Sequence, residues 1–141
     1  MSTAILYYSL SGKTKSYAEK LGTESGASLF EIHEVKKRNG FTAFFPGVFQ
    51  AGGFKCPAIQ PLEIDFQAYD EIVIMGPIWA GKPAPAINSA INLLPEGKAV
   101  SLICTSGRGG YDLSKTAEMI SARSCTIKET RCLKAEELIV D

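Results

Sequence analysis

The sequence predicts an α/β protein: a parallel β-sheet with helices packed on both faces. Three observations carry this expectation. Short apolar runs alternate with helix-period segments along the whole chain. One of the runs, Glu71-Ile72-Val73-Ile74-Met75, has the unbroken apolar character of a strand buried on both faces. The segments after the first, third and fourth predicted strands carry the glycine, proline and hydroxyl residues of loops that meet at one sheet edge. With 141 residues, no internal repeat and no low-complexity linker, the chain suits one domain.

The elements follow in order. Thr3-Ala4-Ile5-Leu6-Tyr7-Tyr8 predicts a first strand over about 3–8. It breaks into Ser9-Leu10-Ser11-Gly12-Lys13-Thr14 and then a helix over about 12–25, with Tyr17, Ala18 and Leu21 as its apolar stripe and Gly26 near its end. Residues 28–35 alternate as an edge strand does, which places the single histidine, His33, on the surface. The third strand is 71–75. A helix from about Ala84 to Leu94 begins among prolines and stops at Pro95-Glu96-Gly97. Ala99 to Cys104 is the fourth strand, about Asp112 to Ala122 the next helix, and about Thr126 to Leu133 the fifth strand.

Two stretches depart from this regularity. Residues 36–61 begin with Lys36-Lys37-Arg38 and carry Phe41, Phe44, Phe45, Val48, Phe49 and Phe54 at helical spacing, interrupted by Pro46-Gly47. Two short turns would reconcile these facts, with Pro46 opening the second. The aromatics then form a local core, or else a pocket wall or subunit interface. At the other end, only Lys134 to Asp141 follow the fifth strand, at most two turns of helix. The last covering helix is therefore expected to be short or missing, and a sheet face left open there would be covered by a second copy, giving a homodimer.

Composition narrows the partners. Fifteen basic and fifteen acidic residues balance, which argues against nucleic-acid and anionic-membrane partners. The cysteines at 56, 104, 125 and 132 form no Cys-x-x-Cys, and one histidine cannot complete a metal centre, so no metal site is expected. Cys104, ending an apolar strand, reads as core. No apolar run approaches the roughly 18 residues of a membrane span, and no signal peptide precedes the first strand. A soluble cytoplasmic protein with reduced thiols is the expectation.

The Ser9–Thr14 turn is chemically suggestive. The unpaired N–H groups and positive dipole end of a helix N-terminus favour an anion. Ser9, Ser11 and Thr14 can each donate to a phosphate oxygen, Gly12 lets the backbone approach closely, and Lys13 adds a charge. A nucleotide-triphosphate P-loop is excluded, because the glycine it needs five residues before the Gly-Lys pair is Tyr7. A cradle for a single phosphate and a plain helix cap both fit these residues. Two further loops complete the picture. Gly76-Pro77-Ile78-Trp79-Ala80-Gly81-Lys82-Pro83-Ala84-Pro85 holds the single tryptophan, and Thr105-Ser106-Gly107-Arg108-Gly109-Gly110-Tyr111 exposes many backbone N–H groups before an aromatic. A phosphate cradle, two aromatic platforms and a polar rim suit a flat ring tethered to one phosphate, the shape of flavin mononucleotide (FMN).

On these three segments, in order along nearly the whole chain, the sequence resembles the flavodoxin family, and its short bacterial flavodoxin-like branch in particular. The resemblance implies a three-layer sandwich on a five-stranded parallel sheet of order 2-1-3-4-5, with FMN held non-covalently. Ser9, Leu10, Ser11, Gly12, Lys13 and Thr14 would hold the phosphate. Pro77, Ile78, Trp79, Ala80 and Gly81 would lie on one side of the ring, and Thr105, Ser106, Gly107, Arg108, Gly109 and Tyr111 on the other. Arg108 stands where many relatives have a small residue and would touch the flavin edge, a nicotinamide phosphate or a partner; as a cation near the ring edge it would favour the reduced, negatively charged flavin. No side chain is expected to act as general acid or base. The implied activity is that of an FMN oxidoreductase passing electrons from NAD(P)H or a reductase to a small acceptor. A non-enzymatic carrier serving a redox protein, and a flavin-free binding domain, are the alternatives. Dedicated carriers of the family tend to be acidic, and this chain is neutral.

Overall fold

A computed structural model describes residues 2–10, 12–35, 56–107 and 110–134. The expectations for Ser11, for the aromatic 41–54 segment, for Arg108 and Gly109, and for a C-terminal helix fall outside these residues. Within them the order is β1 (Thr3–Tyr7), α1 (Lys13–Ser25), β2 (Ser28–Glu31), a single 3₁₀ turn (Phe66–Ala68), β3 (Glu71–Trp79), β4 (Lys82–Pro83), α2 (Pro85–Ile91), β5 (Ala99–Ser106), α3 (Ser114–Ser121) and β6 (Thr126–Lys134). The long strands pair in parallel in the order β2-β1-β3-β5-β6. That is the predicted 2-1-3-4-5 order, and the switch of direction falls between β1 and β3.

Alternation of side chains along each strand builds a core on either face. On one, Ile5 and Tyr7 of β1, Met75 of β3, Ile103 of β5 and Leu133 of β6 pack with Ala18 of α1. On the other, Ala4, Leu6, Ile72, Ile74, Val100, Leu102 and Cys104 pack with α2 and with Ile120 of α3. The seven residues of α2 are all buried, and Pro85 opens it where a missing N–H costs nothing. Among the described residues no helix is long and apolar enough to cross a membrane.

Two sequence expectations need correction. The third strand does not stop at Met75 but runs on to Trp79. Gly76-Pro77 reads as a loop because proline breaks a ladder, yet β1 pairs with β3 only as far as Met75. Beyond that point β5 alone continues the ladder, to Pro77 opposite Thr105. Secondly, the strand then doubles back: Ile78 pairs with Pro83 and Trp79 with Lys82 in an antiparallel hairpin. Its two loop residues, Ala80 and Gly81, have φ of 53° and 80°, the mirror-image turn that suits the twist of a hairpin. The five predicted parallel strands are thus present, and the two-residue antiparallel β4 is added beside β3. Beside β6, Ile103 and Leu133 are buried; the exposed large apolar side chains among the described residues are Leu10, Leu29, Val35 and Leu93.

Gly76 is where β3 and α2 meet most closely. A Cβ there would lie 2.5 Å from Cδ1 and 2.8 Å from Cγ1 of Ile87, so the packing of this helix on the sheet depends on glycine.

Candidate functional site

The carboxyl ends of β1, β3 and β5 carry the three loops singled out in the sequence, and the loops converge there. The first and third meet at Thr14 and Thr105, whose Oγ1 atoms share a buried hydrogen bond of 2.9 Å. The first and second meet at Tyr8 and Trp79, whose rings lie edge to face at 5.9 Å and 75°. The second and third approach each other at Gly81 and Tyr111, where a Cβ built on the glycine would stand 3.8 Å from Cε1 of the tyrosine. The predicted convergence thus consists of two direct contacts and one close approach.

The described residues of the Ser9–Thr14 turn take defined places. Gly12 is the N-cap of α1, with φ of 94°, and no side chain caps the helix among the described residues. The plain helix-cap reading of the hydroxyls therefore does not hold for those described. Ser9 Oγ instead accepts from the Gly12 N–H at 3.0 Å, which leaves the serine's own O–H to donate elsewhere. Thr14 points inward to Thr105; two hydroxyls carry two protons and their mutual bond uses one. Lys13 and Leu10 are exposed beside the turn. Among the described residues, a Cβ at Gly12, Gly107 or Gly110 would meet nothing within 4 Å, so the backbone there borders open space in both the first and third loops.

Other predicted residues take clear places. Pro77 and Ile78 lie in β3, with the Pro77 carbonyl accepting from the Ala84 N–H at 2.9 Å, and Ala80 is exposed at the hairpin tip. Ser106 ends β5, its Oγ 3.8 Å from Cys132 Sγ. Asp112, just after Tyr111, accepts from the Ser114 N–H at 2.9 Å ahead of α3; that hydrogen bond holds its carboxyl below the usual carboxylate range. No group of three or more His, Cys, Asp or Glu among the described residues could hold a metal ion.

Two residues were missed from the sequence. Tyr8, 5% exposed, hydrogen-bonds through its hydroxyl to the carboxylate of Glu34, 7% exposed. The signal was present: the alternation of residues 28–35 continues past the end of β2, so Glu34 shares the inward face with Ile32.

No protein-family model matches the chain, and no curated protein does. Solved structures do. A flavoprotein in complex with FMN from Lactobacillus acidophilus is 28% identical, with 97% of this chain and 95% of that chain covered at a TM-score of 0.77. The apo form of the flavoprotein from that organism gives 26% identity, 97% and 96% coverage and a TM-score of 0.72. Oxidised flavodoxin 2 from Bacillus cereus, at 17% identity, 98% and 92% coverage and a TM-score of 0.55, shares the fold. The chain has the flavodoxin-like fold, and in sequence and shape together it is similar to the Lactobacillus flavoprotein.

Proposed function

We propose that this protein is an FMN-binding flavoprotein that passes electrons from NAD(P)H or a reductase to a small acceptor. The observation that carries the reading is the convergence of the three loops at the sheet's switch point, the crevice where open α/β sheets bind ligands. Similarity over 97% of the chain to a flavoprotein that holds FMN supports the same ligand.

The residues present fit the group. The N–H groups at the start of α1, with the O–H of Ser9 and the spare proton of the Thr14–Thr105 pair, supply donors for one phosphate. The open backbone at Gly12, Gly107 and Gly110 leaves room for a ligand against the chain. Trp79 and Tyr111 supply aromatic surface on the second and third loops, each able to add about 0.5–1.5 kcal/mol beyond area burial. FMN, when bound, supplies the redox chemistry, and the chain orients it and keeps water from one face.

Titration of the purified apoprotein with FMN tests the reading. Trp79 is the single tryptophan, so its fluorescence reports this site alone. Saturable quenching is the expected result; absence of quenching together with a colourless protein overturns it. Steady-state oxidation of NADPH with a quinone by the FMN-loaded protein alone then supports an oxidoreductase, whereas turnover only with an added reductase supports a carrier.

A further inference from the structure

Glu34 is a buried acid with no part in the cradle. It is 7% exposed while its apolar neighbour Val35 is 59% exposed, the reverse of what hydropathy alone would choose. Burying a carboxylate is costly unless it is hydrogen-bonded, so this inversion needs a compensating interaction. The Tyr8 hydroxyl supplies one, and the Tyr8 ring in turn presents its neighbour Trp79 with an edge-to-face contact at 5.9 Å and 75°.

The anchor itself is held on both sides. Residues 58–60 return alongside 33–35: the Val35 N–H donates to the Ala58 carbonyl at 3.0 Å and the Gln60 N–H to the His33 carbonyl at 2.7 Å, with Glu34 opposite Ile59. That returning segment is tied to α2, because Ser89 Oγ donates to the Pro57 carbonyl. The helix, finally, rests on β3 at Gly76, three residues before Trp79. A phenol fixed at its hydroxyl cannot slide or tilt freely, so the carboxylate determines where the Tyr8 ring edge stands.

We propose that Glu34 is a positioning residue for Trp79, acting through Tyr8, and that this buried chain sets how tightly the flavin is held. The inference rests on the FMN reading for its second half only. Its first half is read without ligand, from the near-ultraviolet circular dichroism of Trp79 in the apoprotein. Glu34→Leu and Tyr8→Phe are both expected to diminish that band, while Glu34→Gln, which keeps an acceptor oxygen, is expected to restore it.

With FMN, Glu34→Leu and Tyr8→Phe are each expected to raise the dissociation constant about tenfold, and Glu34→Gln less than threefold. In the Trp79→Phe background the same two substitutions should add almost nothing, because the ring they position is gone. A wild-type band in both Glu34→Leu and Tyr8→Phe overturns the positioning role. An equal loss of FMN affinity with and without Trp79 also overturns it, since that is the signature of general destabilisation. Wild-type protein that binds no FMN overturns the functional reading and the second half, and leaves the tryptophan band to decide the first.

Discussion

The Oγ1 atoms of Thr14 and Thr105 lie 2.9 Å apart in the core, although the two residues are 91 positions apart in the chain. This bond ties the start of α1 to the end of β5, and so ties the cradle to the loop opposite it. Thr14 is 2% and Thr105 5% exposed, so the bond between them is shielded from bulk water. Thr14→Val or Thr105→Val leaves a buried hydroxyl without its present partner and is expected to cost about 1–3 kcal/mol. The double substitution should cost less than the sum, since both partners are then apolar. Urea unfolding of the four proteins measures both effects.

Gly76→Ala would drive a methyl group into the side chain of Ile87. Overpacking of this kind costs about 1–3 kcal/mol, and thermal unfolding should report it. Ile87→Val removes the Cδ1 atom that stands nearest the new methyl, so the pair is expected to be more stable than the sum of the two single changes predicts. A fully additive pair would mean that the clash lies elsewhere.

Tyr7 governs part of the alkaline limb of stability. Burial first, and then the charges of Glu31 and Glu19, push its phenol from 10.0 up to about 12. Between those values the unfolded chain has released the proton that the folded protein keeps, so the contribution present below pH 10.0 is lost as pH rises to about 12. Tyr7→Phe should flatten the fall of unfolding free energy over this interval. Ultraviolet titration of phenolate formation in the folded protein should lose its late-ionising component in the same variant.

The thiols are expected to divide by burial. Cys56 is exposed, whereas Cys104 lies in the core, where desolvation and then Cys132 push its thiol pKa up. Brief alkylation of the folded protein, read by mass spectrometry, should label Cys56 first and Cys104 only under unfolding conditions. Early labelling of Cys104 would contradict the packing of β5.

Lys98 offers a test of the opposite sheet edge. Its ammonium group donates to the Phe66 and Tyr69 carbonyls at 2.8 and 2.7 Å, closing the 3₁₀ turn that leads into β3. Lys98→Met should cost about 1.5–3 kcal/mol of stability per lost charged hydrogen bond at most. The FMN titration of folded protein should be unchanged, because this edge is remote from the three loops.

Much of the site was legible before any coordinates. Ser9, Gly12 and Thr14 fall at the β1–α1 junction because an apolar run followed directly by a helical period leaves few places for a turn. Residues 76–79 misled, since Gly-Pro is a loop signal unless one side of the strand has no ladder neighbour, and that depends on where β1 ends. Glu34 was missed for a different reason: the 28–35 alternation places it inward, but its partner Tyr8, 26 positions away, is found only in the tertiary structure.

Local pattern alone determined the alternation of strands and helices, the edge of the sheet that bears the loops, and the residue types offered there. Periodicity encodes which faces must leave water, and that information is held in neighbouring residues. Tertiary structure decided which of those residues touch. The meeting of Thr14 with Thr105 and of Tyr8 with Glu34, and the approach of Gly81 to Tyr111, follow from strand order and register, which join positions far apart in the chain.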